Sequence, residues 1–227
     1  MMKDNRLMIL AIMPTLAGEL KTIFSEEPES IRRKLESPPK LRTSGWDLPS
    51  FTQAQFQRGE FIQVVEHGRM IVDLYRDGTF VLGGQIHRSF LAWSDKTDSQ
   101  LHPLAMIELI LNFTRFYRLV LEDFRVPPDR IELRVELRNM HLQGQKTVLN
   151  GGTVGDYWPF SGGKEAPADS WNKELIVSAN SYDPDRAAFS LIREIYLWFG
   201  HSDQSIPYIK ETSSGTVIDA DQIATLR

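Results

Sequence analysis

The sequence predicts an α+β fold: a mainly antiparallel sheet with a three-stranded meander, flanked by two long helices. Three observations lead there. The runs FIQVVE, RMIVDLYR and TFVLGG are β-rich and are separated by His67-Gly68 and Asp77-Gly78, two-residue breaks with glycine second, as in consecutive hairpins. Residues 131–138 alternate, with Ile131, Leu133, Val135 and Leu137 set between Glu132, Arg134, Glu136 and Arg138. Period two with one polar face describes a strand packed on one side and wet on the other. Two further segments, 103–124 and 183–199, carry apolar residues at helical spacing.

The elements follow in chain order. LMILAIM (7–13) reads as a strand stopped by Pro14. With Lys3 and Arg6 ahead of it and TLA behind, it has the outline of a secretory signal. The run is short for that purpose and Asp4 interrupts the basic region, so a buried strand is the better reading. Leu16, Leu20, Ile23 and Phe24 recur at helical spacing with Thr15 as cap, and Ile31 with Leu35 suggests a second helical piece after Pro28. SPPKLRTSGWDLPS (37–50) is a turn-rich connector. The meander occupies 61–83, with Asp77-Gly78 as a type I′ turn.

Residues 84–101 are irregular around Trp93. A long helix is expected from Pro103, whose missing N–H suits a first turn, to Phe124. Its apolar stripe includes Met106, Leu109, Ile110, Phe113, Tyr117 and Val120, opposite Glu108, Asn112, Arg115, Arg118 and Glu122. Leu104, Leu111 and Leu119 break the polar side, so more than one flank should be covered. RVPPDR ends the helix. The strand 131–138 follows, with 145–149 as its partner. Residues 150–170 form a glycine- and proline-rich loop, and WNKELIVSANSY reads as a strand. The second long helix is capped by Asp183, opened by Pro184 and stopped by Gly200. One domain is expected over 1–205, with 206–227 as a weakly ordered tail.

The glycines of LYRDGTFVLGG (74–84) raise a chemical question. A phosphate cradle places glycines between a strand and a helix N-terminus, where free N–H groups meet the anion. A strand follows Gly78 here, so the turn reading prevails.

Composition narrows the chemistry further. The 227 residues include no cysteine, which excludes disulfides, thiolate metal sites and cysteine nucleophiles. Net charge is −4, giving no global pull toward nucleic acid. No apolar run approaches the ~18 residues that span a bilayer. The five histidines never fall within five residues of one another, so no local H-x₃-H pair exists. There is no G-x-S-x-G elbow and no S-x-x-K, and the GHSD stretch (200–203) reads as a helix stop and turn. Two segments retain functional interest. Arg32, Arg33, Lys40 and Arg42, followed by Trp46, could meet phosphates and a base, although Glu26, Glu27, Glu29 and Glu36 dilute the charge. Tyr157, Trp158 and Phe160, with Phe189 and Trp198 on the second helix, could form a partner interface.

The order of features also carries a family likeness. AIMP closes a first strand, GWDL lies at 45–48, FIQVVEHGRMIVDLYRDGT forms the meander, and a long helix precedes RVPPDRIELRVEL. Over residues 7–140 this resembles the region C-terminal to the catalytic-like domain in bacterial Schlafen/AlbA-type DNA-binding proteins. The resemblance implies an accessory architecture and carries over no functional residue. The resulting expectation is a non-enzymatic accessory or interaction domain of a cytoplasmic prokaryotic system with nucleic-acid or defence links. It would have a protein partner or form a homo-oligomer, with nucleic acid as a second partner class, no membrane and no cofactor. The alternative is a metal-dependent nuclease or other hydrolase whose site assembles from distant acids and histidines.

Overall fold

A computed structural model describes residues 5–16, 18–49, 55–57, 59–66, 69–94, 97–151 and 162–226. In chain order the elements are β1 (Leu7–Pro14), α1 (Ile31–Glu36), β2 (Gln55–Gln57), β3 (Phe61–Glu66), β4 (Met70–Tyr75), β5 (Phe80–Gln85), β6 (Gln100–Leu101), α2 (Pro103–Glu122) and β7 (Arg130–Arg138). Then come β8 (His141–Leu142), β9 (Gln145–Lys146), β10 (Val148–Leu149), β11 (Lys164–Glu165), β12 (Trp171–Ser178), α3 (Pro184–Trp198), β13 (Ile209–Thr212), β14 (Gly215–Ile218) and α4 (Ala220–Ala224). A seven-stranded sheet in the order β12-β7-β1-β5-β4-β3-β2 dominates the fold, and every pairing in it is antiparallel. The fold is α+β, as the periodicities predict.

The pleat sets the two faces of this sheet. Met8, Leu10 and Ile12 of β1 share a face with Phe80 and Leu82 of β5, Val72 and Leu74 of β4, and Ile131 to Leu137 at alternate positions of β7. All are buried. Helix α2 lies on this face: Phe80 stacks on Phe113 with ring centroids 4.7 Å apart, and Phe116 tilts over it at 5.2 Å. Burying one such ring contributes roughly 2–3 kcal/mol. Helix α3 packs beside α2, where Tyr182 donates to Thr114 O at 2.8 Å. Arg6 is buried and donates to the carbonyls of Leu142 (3.1 Å) and Gln145 (3.0 Å), fastening the small β8–β9 hairpin to the start of β1.

The meander forms as expected, and its second turn differs in type. Gly78 has φ 86°, and Asp77 is not among the positive-φ residues. Gly78 N–H donates to Tyr75 O, and Tyr75 N–H donates to Thr79 O. This is a three-residue loop, a type I turn closed by a left-handed glycine. A type I′ turn would also need Asp77 at positive φ. Thr79 N–H instead donates to Asp77 Oδ1 at 2.8 Å, a local bond that holds Asp77 in place. The His67-Gly68 turn lies outside the described residues.

Other expectations fail for identifiable reasons. The described residues of 15–24 form no helix. Leu16 and Phe24 are exposed, and Leu20 bridges to Phe124 while Lys21 N–H reaches Asp123 O, so the segment's backbone is satisfied by the end of α2. Residues 145–149 do not pair with β7, whose neighbours are β1 and β12; β9 pairs with β8, and β10 with β6 and β11. The C-terminal segment is not a loose tail. Val217, Ile218, Ala220 and Ile223 are buried, and the latter three belong to the same core cluster as α2 and α3. The apolar residues are few there, but β14 and α4 present them to one side.

Candidate functional site

The basic segment is built from α1 outward. Ser30 caps α1, its Oγ accepting from Arg33 N–H, and the one-and-a-half turns that follow place Arg32 and Arg33 near Glu36. Arg32 pairs with Glu26 and, at 3.5 Å, with Glu36; Arg33 pairs with Glu26 at 2.8 Å and Glu36 at 2.7 Å. Lys40 lies 3.8 Å from Asp47. Arg42 turns inward to Glu108 of α2, with its Nε 3.1 Å from both carboxylate oxygens and one terminal nitrogen at 2.9 Å. The Arg42 side chain is 8 % exposed and that of Glu108 0 %. These cations therefore meet carboxylates of their own chain, and Arg42 is inaccessible to a phosphate backbone.

Trp46 packs over the same ion pair. The Arg42 guanidinium lies 5.7 Å from its ring, and its indole N–H donates to Phe90 O at 3.1 Å. His102 stacks behind it, and Trp93 meets both rings edge-on at 4.8 Å. Asn112 ties the segment down by donating to Trp46 O at 3.1 Å. Burial pushes the Glu108 and Asp47 carboxyls up, opposed by Arg42 and by Lys40 respectively. Burial also pushes His102 down to about 4, so it is neutral near pH 7. A cavity of about 330 Å³ opens beside the cluster, lined in part by Lys40, Trp46, Asp47, Arg69 and Trp93. Trp93 sits at φ 36°, a left-handed backbone that costs a bulky residue roughly 1–3 kcal/mol. Its contribution to this cluster had no signal in the sequence beyond an isolated tryptophan in an irregular stretch.

The second face of the large sheet carries a different set. Its outward positions on β1, β5, β4 and β3 include Ile9, Ala11, Met13, Val81, Ile71, Val65 and Phe61, with Tyr75 stacked on Phe61 at 4.7 Å. Gly83 lies between Ile9 and Ile71 in the middle strand. A Cβ built on Gly83 meets nothing within 4 Å, whereas one on Gly84, which faces the core, would approach Leu91 Cδ1 to 3.2 Å. The adjacent glycines of VLGG thus have separate explanations: Gly84 allows close approach, and Gly83 opens a dimple. The strip ends at β7, where Glu132, Arg134 and Glu136 take over. Arg134 pairs with Glu174 at 3.5 Å, and Arg138 with Glu136 at 2.6 Å. Among the described residues no cation pairs with Glu132 or with Asp73 of β4. Asp73 accepts from Gln63 at 2.8 Å, and burial pushes its carboxyl up.

The residues of α3 expected at a partner surface make contacts within the chain. Trp198 stacks on Trp171 of β12 at 5.4 Å, and Phe189 packs against the core while remaining half-buried. Tyr157, Trp158 and Phe160 lie outside the described residues. The chain matches no known family, no characterised protein and no solved structure. Two histidines are held by distant backbone carbonyls: His141 Nε2 lies 2.8 Å from Ala166 O, and His201 Nε2 lies 2.9 Å from Leu149 O. Among the described residues no group of three acids or histidines could hold a metal ion. No described helix is long and apolar enough to cross a membrane.

Proposed function

We propose that this chain is a non-enzymatic interaction domain whose docking surface is the open face of the seven-stranded sheet. One observation carries the reading. An antiparallel sheet with one wet face ordinarily alternates apolar-in and polar-out, and β7 does so, but on β1, β5 and β4 the outward set Ile9, Ala11, Met13, Val81 and Ile71 around the uncovered Gly83 outnumbers the polar Asp73 and Gln85. Ile9, Met13, Val81 and Ile71 are half-buried and Ala11 is buried, so the face offers a partly accessible apolar strip around Gly83, a surface that a partner can complete.

Size and charge specify the partner. Four strands at ~4.8 Å spacing make a strip about 14 Å wide, which matches one α-helix with its side chains, roughly 10–12 Å across. Glu132 of β7 borders that strip and Asp73 of β4, held by Gln63, lies within it; among the described residues neither meets a cation, so the occupant is an amphipathic protein helix with lysine or arginine beside its apolar stripe. The nucleic-acid reading of segment 32–46 gains no such support, because its cations face carboxylates.

The test is copurification from the source cell with the wild-type chain and with Gly83→Lys, which has open space for its side chain. The expected result is a helical partner recovered by the wild type and lost with Gly83→Lys at unchanged melting temperature. Equal recovery by both would contradict the reading.

A further inference from the structure

The two ends of the large sheet are treated differently. β2 is a three-residue edge, whereas β12 is an eight-residue edge with no proline and an unbroken register against β7 from Trp171–Leu137 to Ser178–Arg130. Long edges are normally blunted by bulges, prolines or free charges, because their unpaired backbone groups recruit other strands. The charges that could protect β12 are engaged within the chain: Lys173 with Glu194 at 3.4 Å and Glu174 with Arg134 at 3.5 Å. Ile176, in the same strand, is 63 % exposed.

The backbone direction follows from the register. Ala179 N–H donates to Asp129 O, continuing the β12–β7 ladder by one pair. Alternate residues of an antiparallel strand bond to opposite sides, so Trp171, Lys173, Leu175 and Val177 bond to β7. Asn172, Glu174, Ile176 and Ser178 direct their N–H and C=O groups away from it, and no described backbone group pairs with them.

We propose that the chain forms a homodimer by antiparallel pairing of β12 with β12 of a second copy. This surface is distinct from the docking face, and pairing would join the two sheets edge to edge. A two-fold axis normal to the sheet keeps like faces together, so opposing residues have the same parity. Centring the axis on Lys173 or Glu174 would oppose like charges, which is destabilising. Centring it on Leu175 avoids both. It sets Leu175 against Leu175, Glu174 against Ile176 and Asn172 against Ser178, and forms about eight backbone hydrogen bonds. Leu175 is the centre that keeps like charges apart and also pairs all four outward-bonding residues, Asn172, Glu174, Ile176 and Ser178.

The test is sedimentation of the full chain at concentrations up to roughly 100 μM, a range that detects micromolar association. The wild type is expected to sediment as a dimer that dissociates on dilution. Ile176→Pro removes an N–H that faces away from β7 and should give a monomer with an unchanged circular-dichroism spectrum; if that variant does not fold, Ile176→Lys carries the same expectation. Because the chain has no cysteine, Leu175→Cys should oxidise to a covalent dimer, while Lys173→Cys should not. A wild type that stays monomeric throughout the range, or a folded Ile176 variant that dimerises undiminished, would overturn the proposal. A covalent dimer from Lys173→Cys in place of Leu175→Cys would overturn the register. Loss of the dimer with retained capture of a helical partner would leave the docking face standing.

Discussion

Arg42 holds both carboxylate oxygens of Glu108 within 3.1 Å, although sixty-six residues separate them in the chain. The pair explains how a polar residue can sit fully buried on α2 and why the connector 37–48 has a fixed course over that helix. Removing one partner leaves a buried charge without its counterion, which costs about 3–5 kcal/mol. Arg42→Ala should therefore destabilise the chain by that amount in urea titrations. Arg42→Met combined with Glu108→Leu should recover most of the loss, since well-packed apolar replacements of buried pairs are often neutral.

Gly45 lies against the same carboxylate, and an added Cβ would fall on Glu108 Oε1 and Cδ. Gly45→Ala must displace either Glu108 or the connector backbone. A loss of about 1–3 kcal/mol is expected, visible as a lower urea midpoint at unchanged slope. It should be smaller in the Glu108→Leu background.

His102 makes stability depend on pH. Its native pKa is held down near 4 by burial, against 6.5 ordinarily. Above about pH 6.5 both folded and unfolded forms are neutral and the residue contributes nothing to the pH dependence. As pH falls toward 4 the unfolded chain takes up the proton and the native one resists it, so stability is lost across this window, by roughly 2–4 kcal/mol in all. Urea titrations from pH 7 to pH 4 should show the decline, and His102→Phe, which retains an aromatic ring, should flatten that part of it.

The meander glycines should respond in opposite directions. Gly78 sits at φ 86° with the Phe124 ring where a Cβ would go, so Gly78→Ala should destabilise by at least about 1 kcal/mol. Gly83 has ordinary extended backbone and open space, and Gly83→Val should be neutral or stabilising by about 0.5–1 kcal/mol. Thermal melts of the two variants would separate them.

Much of the fold was legible because it rests on local signals. The alternation in β7, the Asp183-Pro184 start of α3 and the proline opening α2 specify their elements regardless of context. Leu16 to Phe24 misled because helical spacing in a short segment cannot reveal that Phe124 and Asp123 will claim its backbone. The type of the Asp77 turn was missed because Asp-Gly suits both a type I′ turn and a type I turn with a glycine bulge. The order of residues 206–226 was undervalued because β14 packs against α3 and Ile223 of α4 joins the common core, contacts with distant elements. The basic segment was legible as charge but not as pairing: Arg42 finds Glu108 only after folding. The open face was hidden for a related reason. The outward set Ile9, Val81 and Ile71 comes from three strands whose continuous apolar runs do not say which face is covered.

The most direct measurement places a photo-crosslinking amino acid at position 83 in the source cell, with exposed Glu29 as the control position. A covalent adduct with a protein segment that is helical and basic on one flank is expected at 83 and not at 29. Adducts no more abundant at 83 than at 29, or with nucleic acid alone, would contradict it.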